Sequence, residues 1–262
     1  MSILEFEYKL ELKFSAPIKE HCFLLRCLPL NDPSQTGDGV RAVVYPHSSL
    51  WRGTSEPERG TLFGRVDFPH ETFTVITRGR ALRKTAEKSP EPHPVYTSFT
   101  PFTAPDARMR EIAAEFMSEK TDPSLAERVM TKVHSLIEYT PDVTDSDTTA
   151  SQALKLGKGV CQDYAHIYCG IMRTLGVPTR YIAGLGSVPG ETHAWNECYI
   201  GGRWLGFDST HNTAITDGYL KFTQGADANM CALNRGVFMP VDSHDRVIES
   251  QNVTASVTVT GL

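Results

Sequence analysis

Apolar and charged side chains alternate along residues 4–14. Every second residue is Leu, Phe or Tyr, and each residue between them is Glu or Lys. A period of two predicts a β-strand with one buried face. Further stretches rich in β-forming residues, separated by turn-forming segments, lie at 22–28, 40–45, 61–68 and 71–76. Residues 1–100 are therefore predicted to form an antiparallel β-domain followed by a proline-containing linker.

Beyond residue 105 the apolar residues recur every three or four positions. This period predicts helices around 109–116 and 125–137, with Asp122 as the N-cap of the second. A third helix is predicted over 160–175. Strands follow at 179–183, 193–200, 203–207 and 236–240 and in the alternating tail at 253–259. The order of elements predicts an α+β fold in which residues 101–262 form a second domain.

Composition and charge narrow the class of protein. The chain has 262 residues, 40% of them hydrophobic and 22% charged, which is typical of a globular protein of one large or two modest domains. Lys and Arg number 26 against 31 Asp and Glu, and no basic stripe occurs, which disfavours nucleic acid and anionic membrane surfaces as partners. No apolar run approaches the roughly 20 residues that span a bilayer, and the first residues do not resemble a secretory signal. We expect a cytoplasmic protein.

Six scattered cysteines without a CxxC pair indicate reduced thiols rather than a disulfide scaffold. Cys161 differs from the others because it lies at the predicted start of the third helix, directly after a Gly-Lys-Gly-Val segment. Unpaired N–H groups and the positive end of the helix dipole favour a thiolate at such a position. Cys161 is therefore the candidate nucleophile.

A predicted β-hairpin supplies partners for this thiol. The segments ETHAWNECYI and RWLGFDSTHN flank a Gly-Gly turn. If Ile200 pairs with Arg203, Asp208 lies on the same face as His193 and two residues from the position opposite it. Such diagonal neighbours have Cα atoms roughly 7 to 8 Å apart, within reach of an imidazole and a carboxylate. Together with Cys161 they would form a nucleophile, base and orienter.

The motifs GVCQDYAHIYCGIMRTLGVPTRY, HAWNECYI and RWLGFDST occur in this order and resemble the core of the transglutaminase-like superfamily, especially bacterial members described as cysteine peptidases. The likeness covers about residues 105–240. The segment GTLFGRVDFPHETFTVITRGRAL resembles the β-rich region that commonly precedes this core. The resemblance implies a papain-like, transglutaminase-type core over 101–262 and places the family's catalytic triad on Cys161, His193 and Asp208.

Other residues are candidates for supporting roles. Vertebrate transglutaminases have a tryptophan upstream of the nucleophile that helps to hold the oxyanion, but the tryptophans here are Trp51, Trp195 and Trp204. The side-chain amide of Gln152 is the candidate substitute, beside the backbone N–H of Cys161. Trp195 is a candidate for substrate binding, and His211 is interpreted as a loop residue.

Metal binding is a further alternative for the same residues. Cys161, His193, Asp208 and His211 are all of types that bind zinc, but their spacing does not match a zinc motif. A calcium loop of the DxDxDG type does not occur either. We therefore expect neither a metal nor another cofactor.

The predicted reaction is attack of Cys161 on the carbonyl of a peptide or protein amide. His193 then protonates the leaving amine, and the thioester acyl group passes to water or to another amine. Hydrolysis is favoured over transfer because the calcium loops and the upstream tryptophan of the cross-linking enzymes are absent from the sequence. The alternative is a non-catalytic binding or scaffold protein on the same core.

Overall fold

The computed structural model describes residues 2–54, 60–84, 88–118, 120–186, 190–215, 217–242 and 247–261. Within these residues the chain forms two large antiparallel sheets, a two-stranded sheet and four α-helices, which confirms the predicted α+β class. In chain order the elements are β1 (Ser2–Leu25), β2 (Gln35–Tyr45), β3 (Leu50–Arg52), β4 (Leu62–Val66), β5 (His70–Arg83), a 3₁₀ helix (Pro94–Tyr96), α1 (Ala107–Ala114), α2 (Pro123–Leu136), β6 (Glu138–Tyr139), α3 (Ala150–Leu156), β7 (Lys158–Gly159), α4 (Cys161–Thr174), β8 (Thr179–Leu185), β9 (Thr192–Ile200), β10 (Arg203–Asp208), β11 (Thr213–Ala214), β12 (Leu220–Gly225), β13 (Asn234–Pro240) and β14 (Glu249–Gly261).

The larger sheet is built around one long strand, β1. Its alternating apolar residues from Leu4 to Phe14 are all buried, as the period of two predicts. The sequence pattern predicts two separate strands here, over 4–14 and 22–28. The chain instead stays extended through the segment between them and takes up the irregularity as a register shift against β5 between Lys13 and Ile18.

Both ends of the chain meet in this sheet. The first half of β1 lies between β5 and β14, and its second half lies between β4 and β13. Residues 234–261, which the sequence pattern assigns to the second domain, therefore add two strands to the sheet of the first. A local pattern predicts a strand but does not identify its partner, which explains this difference. The boundary near residue 100 stays a prediction.

The smaller sheet has the strand order β11-β10-β9-β8-β12 and carries α4 on one face. Eleven of the fourteen residues of α4 are buried, so this helix is enclosed by the sheet and by the other three helices. Gly170 permits this close packing, because a Cβ there would lie 2.3 Å from Cε of Met109 and 2.7 Å from the carbonyl oxygen of Thr103.

The N-cap of α2 is Asp122, as predicted.

A buried ion network joins the two large sheets. Arg180 on β8 and Lys221 on β12 both pair with Glu197 on β9, and Lys221 also pairs with Asp32 in the loop after β1. Burial would raise the pKa of Glu197, but its two cationic partners outweigh this effect and lower the pKa to about 2. The network therefore holds the first sheet against the sheet that carries the candidate site.

In the described part of the chain, no helix combines the length and the apolar character that a membrane span requires. The cytoplasmic location stays a prediction.

Candidate active site

The position of Cys161 is determined by the way in which α4 begins. Gly157 ends α3 in the left-handed conformation at φ +70°, and the short strand β7 then leads into α4 with Val160 as N-cap. The carboxylate of Asp163 accepts a hydrogen bond from the backbone N–H of Val160 at 2.8 Å. A Cβ at Gly159 would lie only 2.6 to 2.8 Å from the Asp163 side chain, so this approach requires glycine. Cys161 is consequently fixed as the first residue of the helix, where N–H groups lack intrahelical partners.

The hairpin of β9 and β10 has the predicted register. Ile200 pairs with Arg203, and the pairing continues to Phe207 opposite Asn196. Both turn glycines have positive φ angles, 62° and 80°, as a type I′ turn requires. On the face that this register defines, Nε2 of His193 donates to Oδ2 of Asp208 at 2.7 Å.

The side chain of Cys161 is close enough to the His193 ring to affect its pKa. Because Nε2 faces Asp208, the nitrogen that remains for the thiol is Nδ1. Burial alone would lower the pKa of His193, but the hydrogen bonds and charges of Asp208 and Cys161 outweigh it and raise the pKa to about 9. An imidazolium is therefore the favoured form at neutral pH, directly beside the sulfur.

Asp208 is completely buried and accepts five hydrogen bonds. Its Oδ2 atom accepts from His193, from Nδ1 of His211 at 2.8 Å and from the hydroxyl of Tyr219 at 2.8 Å. Its Oδ1 atom accepts from the backbone N–H groups of Thr210 and His211, at 2.9 and 3.1 Å. Burial raises the pKa of this carboxyl, yet the hydrogen bonds to His193, His211 and Tyr219 and the charge of His193 lower it to about 2. Asp208 is thus ionised.

Two members of this network were not predicted from the sequence. His211 does lie in a loop, but it also shares the carboxylate of Asp208, and the three-residue spacing between them is a signal that could have indicated this. Tyr219 lies eleven residues after Asp208 in the segment before β12. Nothing in the local pattern around Tyr219 distinguishes it from an ordinary core aromatic residue.

The structure places Gln152 and Trp195 outside the predicted roles. Gln152 is exposed on α3 and forms a capping box with Thr149, whose backbone N–H donates to the Gln152 amide oxygen at 2.8 Å. A Thr-x-x-Gln pattern before a helix is the signature of this cap rather than of an oxyanion donor. Trp195 is only 1% exposed and packs against Ile182 and Tyr219 in the core. Its ring stacks on that of His193, with the ring centroids 6.2 Å apart.

A cavity of about 770 Å³ opens over the thiol, a size suited to a peptide side chain or a short peptide segment. Cys161, His193 and His211 line it together. The wall of the cavity also includes Tyr139, Thr144, Gly190 and Glu191. Gly190 is hydrogen-bonded to β14, since it exchanges two backbone hydrogen bonds with Ala255, at 2.9 and 2.8 Å. The remaining lining includes Tyr181, Ala183, Ala228, Cys231 and Leu233.

The same residues contain a group of potential metal ligands. One ligand atom each of His193, Asp208 and His211 lies within 4.8 Å of the others. The two hydrogen bonds from the imidazoles to Oδ2 of Asp208 account for this spacing without an ion.

Comparison with known proteins agrees with the fold. Residues 110–209 match the model of the transglutaminase-like superfamily. An uncharacterized protein of Mycobacterium leprae is 32% identical over 114 residues, and the match covers 40% of this chain and 40% of the relative. The aligned region thus spans about two fifths of that relative. An uncharacterized protein of Mycobacterium tuberculosis is 24% identical over 243 residues, covering 83% of this chain and 77% of the relative.

Among solved structures, the "putative cysteine protease" from Cytophaga hutchinsonii superposes with a TM-score of 0.81 and 19% identity. The superposition covers 100% of this chain and 91% of that protein. At this level of identity it shows a shared fold, including the β-rich N-terminal region. The shared fold and the family match together identify a transglutaminase-type core in this protein. Residues 110–209 are thus similar to the transglutaminase-like superfamily.

Proposed function

We propose that the protein is a cysteine-dependent amidase that hydrolyses peptide or side-chain amides through a thioester acyl-enzyme. The observation that carries this proposal is that Cys161 and His193 line the same open cavity, while His193 is hydrogen-bonded to the buried Asp208 at 2.7 Å. Such an arrangement provides a nucleophile, an acid–base group and an orienting carboxylate.

In the acylation half, the Cys161 thiolate attacks the amide carbonyl carbon and forms a C–S bond. The backbone N–H groups at the start of α4 face the developing oxyanion and stabilise it. Nδ1 of His193 gives its proton to the amide nitrogen, the C–N bond breaks, and the amine leaves. Asp208 holds the imidazole in one orientation and stabilises its positive charge.

In the deacylation half, water attacks the thioester carbonyl. The neutral imidazole of His193 takes a proton from the water, the C–S bond breaks, and the electron pair remains on sulfur as the thiolate. An amine could replace water in the same geometry, and the product would then be a new amide. Hydrolysis is the form we propose, since the sequence lacks the calcium loops and the upstream tryptophan of cross-linking relatives.

Thiol reactivity separates this proposal from a non-catalytic scaffold. Cys22 and Cys161 are the cysteines that are not fully buried, so Cys22 serves as an internal reference. We expect iodoacetamide at pH 6.5 to alkylate Cys161 at least tenfold faster than Cys22, because an imidazolium stabilises the thiolate beside it. Peptide mass spectrometry quantifies both sites.

Acyl-enzyme formation tests the chemistry directly. Incubation with p-nitrophenyl acetate is expected to place an acetyl group on Cys161 and to release one equivalent of nitrophenolate as a burst. The Cys161→Ala variant should lose the burst, whereas Cys22→Ala should retain it. Equal alkylation of both thiols without acetylation of Cys161 would instead support the scaffold alternative.

A further inference from the structure

The carboxylate of Asp208 serves two imidazoles. His193 and His211 each direct one ring nitrogen at Oδ2, at 2.7 and 2.8 Å, and their ring centroids are 4.9 Å apart. An ionised carboxylate only accepts hydrogen bonds, so both of these nitrogens must carry a proton. In neutral His211 the proton is therefore on Nδ1, and Nε2 is left as an acceptor.

The two rings differ in their exposure. The side chain of His193 is 11% exposed, whereas that of His211 is 42% exposed, and both line the cavity with Cys161. Within the described residues Nε2 of His211 has no hydrogen-bond partner. This nitrogen is thus available to a molecule that enters the cavity.

Hydrogen bonds fix the chain on both sides of His211. Its own N–H and that of Thr210 donate to Asp208, and the side chain of the next residue, Asn212, accepts from Thr131 on α2 at 2.9 Å. Asn212 has a left-handed conformation with φ +51°, which asparagine tolerates better than most residues. These contacts orient the ring before any substrate binds, as an effective catalytic group requires.

The geometry points to His211 as a second catalytic imidazole, which binds the acyl acceptor during deacylation of the Cys161 thioester. This inference rests on the proposed function. A water molecule that attacks the thioester has two hydrogens and uses a lone pair for the attack. One hydrogen of this water would bond to Nδ1 of His193 and the other to Nε2 of His211. These two hydrogen bonds would direct a lone pair of the water oxygen toward the carbonyl carbon.

The step is balanced without any other reactant. The water oxygen forms a bond to the acyl carbon, one proton moves to Nδ1 of His193, and the C–S bond breaks with its electron pair on sulfur. The second proton stays on the product and remains hydrogen-bonded to His211 until the acid leaves. A primary amine also has two hydrogens on the attacking atom and fits the same site, whereas an alcohol has one and uses His193 alone.

Pre-steady-state kinetics with p-nitrophenyl acetate separate the two halves, since the burst reports acylation and the later slope reports deacylation. In His211→Phe we expect a burst rate within about threefold of the original protein. We expect hydrolysis of the acetyl-enzyme to fall about tenfold or more, a loss typical of a group that orients or deprotonates the nucleophile. Transfer of the acetyl group to added methanol should change by less than about threefold, so the ratio of methyl acetate to acetate should rise.

Two further variants serve as controls. His47→Phe, which alters a histidine of the first domain far along the chain from the cavity residues, should change neither rate. His211→Gln keeps an amide donor for Asp208 and an acceptor for water, and should recover part of the hydrolysis rate. Equal losses in burst, hydrolysis and methanol transfer would overturn the inference, because His211 would then act only through Asp208. Unchanged hydrolysis would also overturn it. Absence of a Cys161-dependent burst in the unaltered protein would remove the proposed function itself.

Discussion

Two buried carboxylates on the same hairpin, Glu197 and Asp208, are held in different ways. The pKa of each is lowered to about 2 against the effect of burial. Glu197 is paired with the guanidinium group of Arg180 and the ammonium group of Lys221. Asp208 is paired with two imidazoles, a phenol and two backbone N–H groups, and imidazoles are the groups that gain and lose protons nearest to neutral pH.

This difference separates a structural ion network from the proposed active site. The network around Glu197 has two anions and two cations, so its charges are balanced and no proton has to move. The network around Asp208 contains a proton on His193 that can be transferred to a substrate while the carboxylate stays ionised. Burial together with a pKa lowered to about 2 therefore does not distinguish a structural carboxylate from one proposed to act in catalysis. The chemistry of their partners does.

The largest expected effect is on turnover in Asp208→Asn. An amide preserves the shape but favours the wrong tautomer of His193 and no longer stabilises the imidazolium, so kcat should fall between about tenfold and about 10⁴-fold. The melting temperature should change little in comparison. Steady-state kinetics with an amide substrate, measured beside a thermal melt, check this. An unchanged kcat would leave only a dyad of Cys161 and His193.

Glu197→Gln should show the opposite balance. Removing one anion leaves Arg180 and Lys221 buried without full compensation, which typically costs about 3 to 5 kcal/mol. Urea denaturation should report this loss in the free energy of unfolding. The folded fraction, assayed at low temperature, should keep kcat within about threefold. A loss of kcat as large as that of Asp208→Asn would show that the two networks are not separate.

The stability of the protein and its turnover should also depend on pH through His193 and Asp208. The pKa of His193 is raised from 6.5 to about 9 in the folded protein. Its contribution to stability is consequently complete below pH 6.5 and is lost as the pH rises from 6.5 to 9. Amide turnover should also decline as His193 loses its proton near pH 9. The Asp208 contribution is present above pH 3.8 and disappears as the pH falls toward 2.

Melting curves between about pH 6 and about pH 10 measure the alkaline part of this prediction. The His193→Gln variant should remove most of the decline between pH 6.5 and 9, whereas Glu197→Gln should retain it, because it leaves His193 and its partner Asp208 unchanged. A decline of the same size in His193→Gln would assign the effect to another group.

The smallest effect is expected for Tyr219→Phe, which removes one of the five donors to Asp208. The remaining donors keep the carboxylate in place, so kcat/KM should fall by about threefold to tenfold. Tyr199→Phe is a matched control, because the Tyr199 hydroxyl, on the same hairpin but away from the cavity, donates to the carbonyl of Ser89. A similar fall in both variants would indicate a general effect on the hairpin.

The sequence was most informative where short-range rules fix the geometry. The Gly-Gly turn determines the register of β9 and β10, and the register determines that His193 and Asp208 share a face. The start of α4 and the position of Cys161 follow from the same kind of local signal.

The parts of the fold and of the site that could not be predicted depend on contacts between distant segments of the chain. Nothing near Tyr219 reveals that its hydroxyl meets Asp208, and nothing in the C-terminal alternation identifies β1 as the partner of β14. For Gln152 the structure shows a local role that the sequence analysis did not consider: its amide satisfies the start of its own helix, and this explains the residue without any role in the cavity. For His211 the spacing to Asp208 was visible, but a histidine in a predicted loop needs no partner to explain it.

The pairing of β1 with β14 has a consequence for biosynthesis. Ile3 and Thr260 are 257 positions apart in the chain, yet they are in contact across adjacent strands. The ribosome therefore produces the first strand long before its neighbour, and one edge of β1 remains unpaired until the last strand emerges. Gly190 in the wall of the cavity is also attached to this late strand. All groups of the proposed active site are thus translated before the strand that completes the support of that wall.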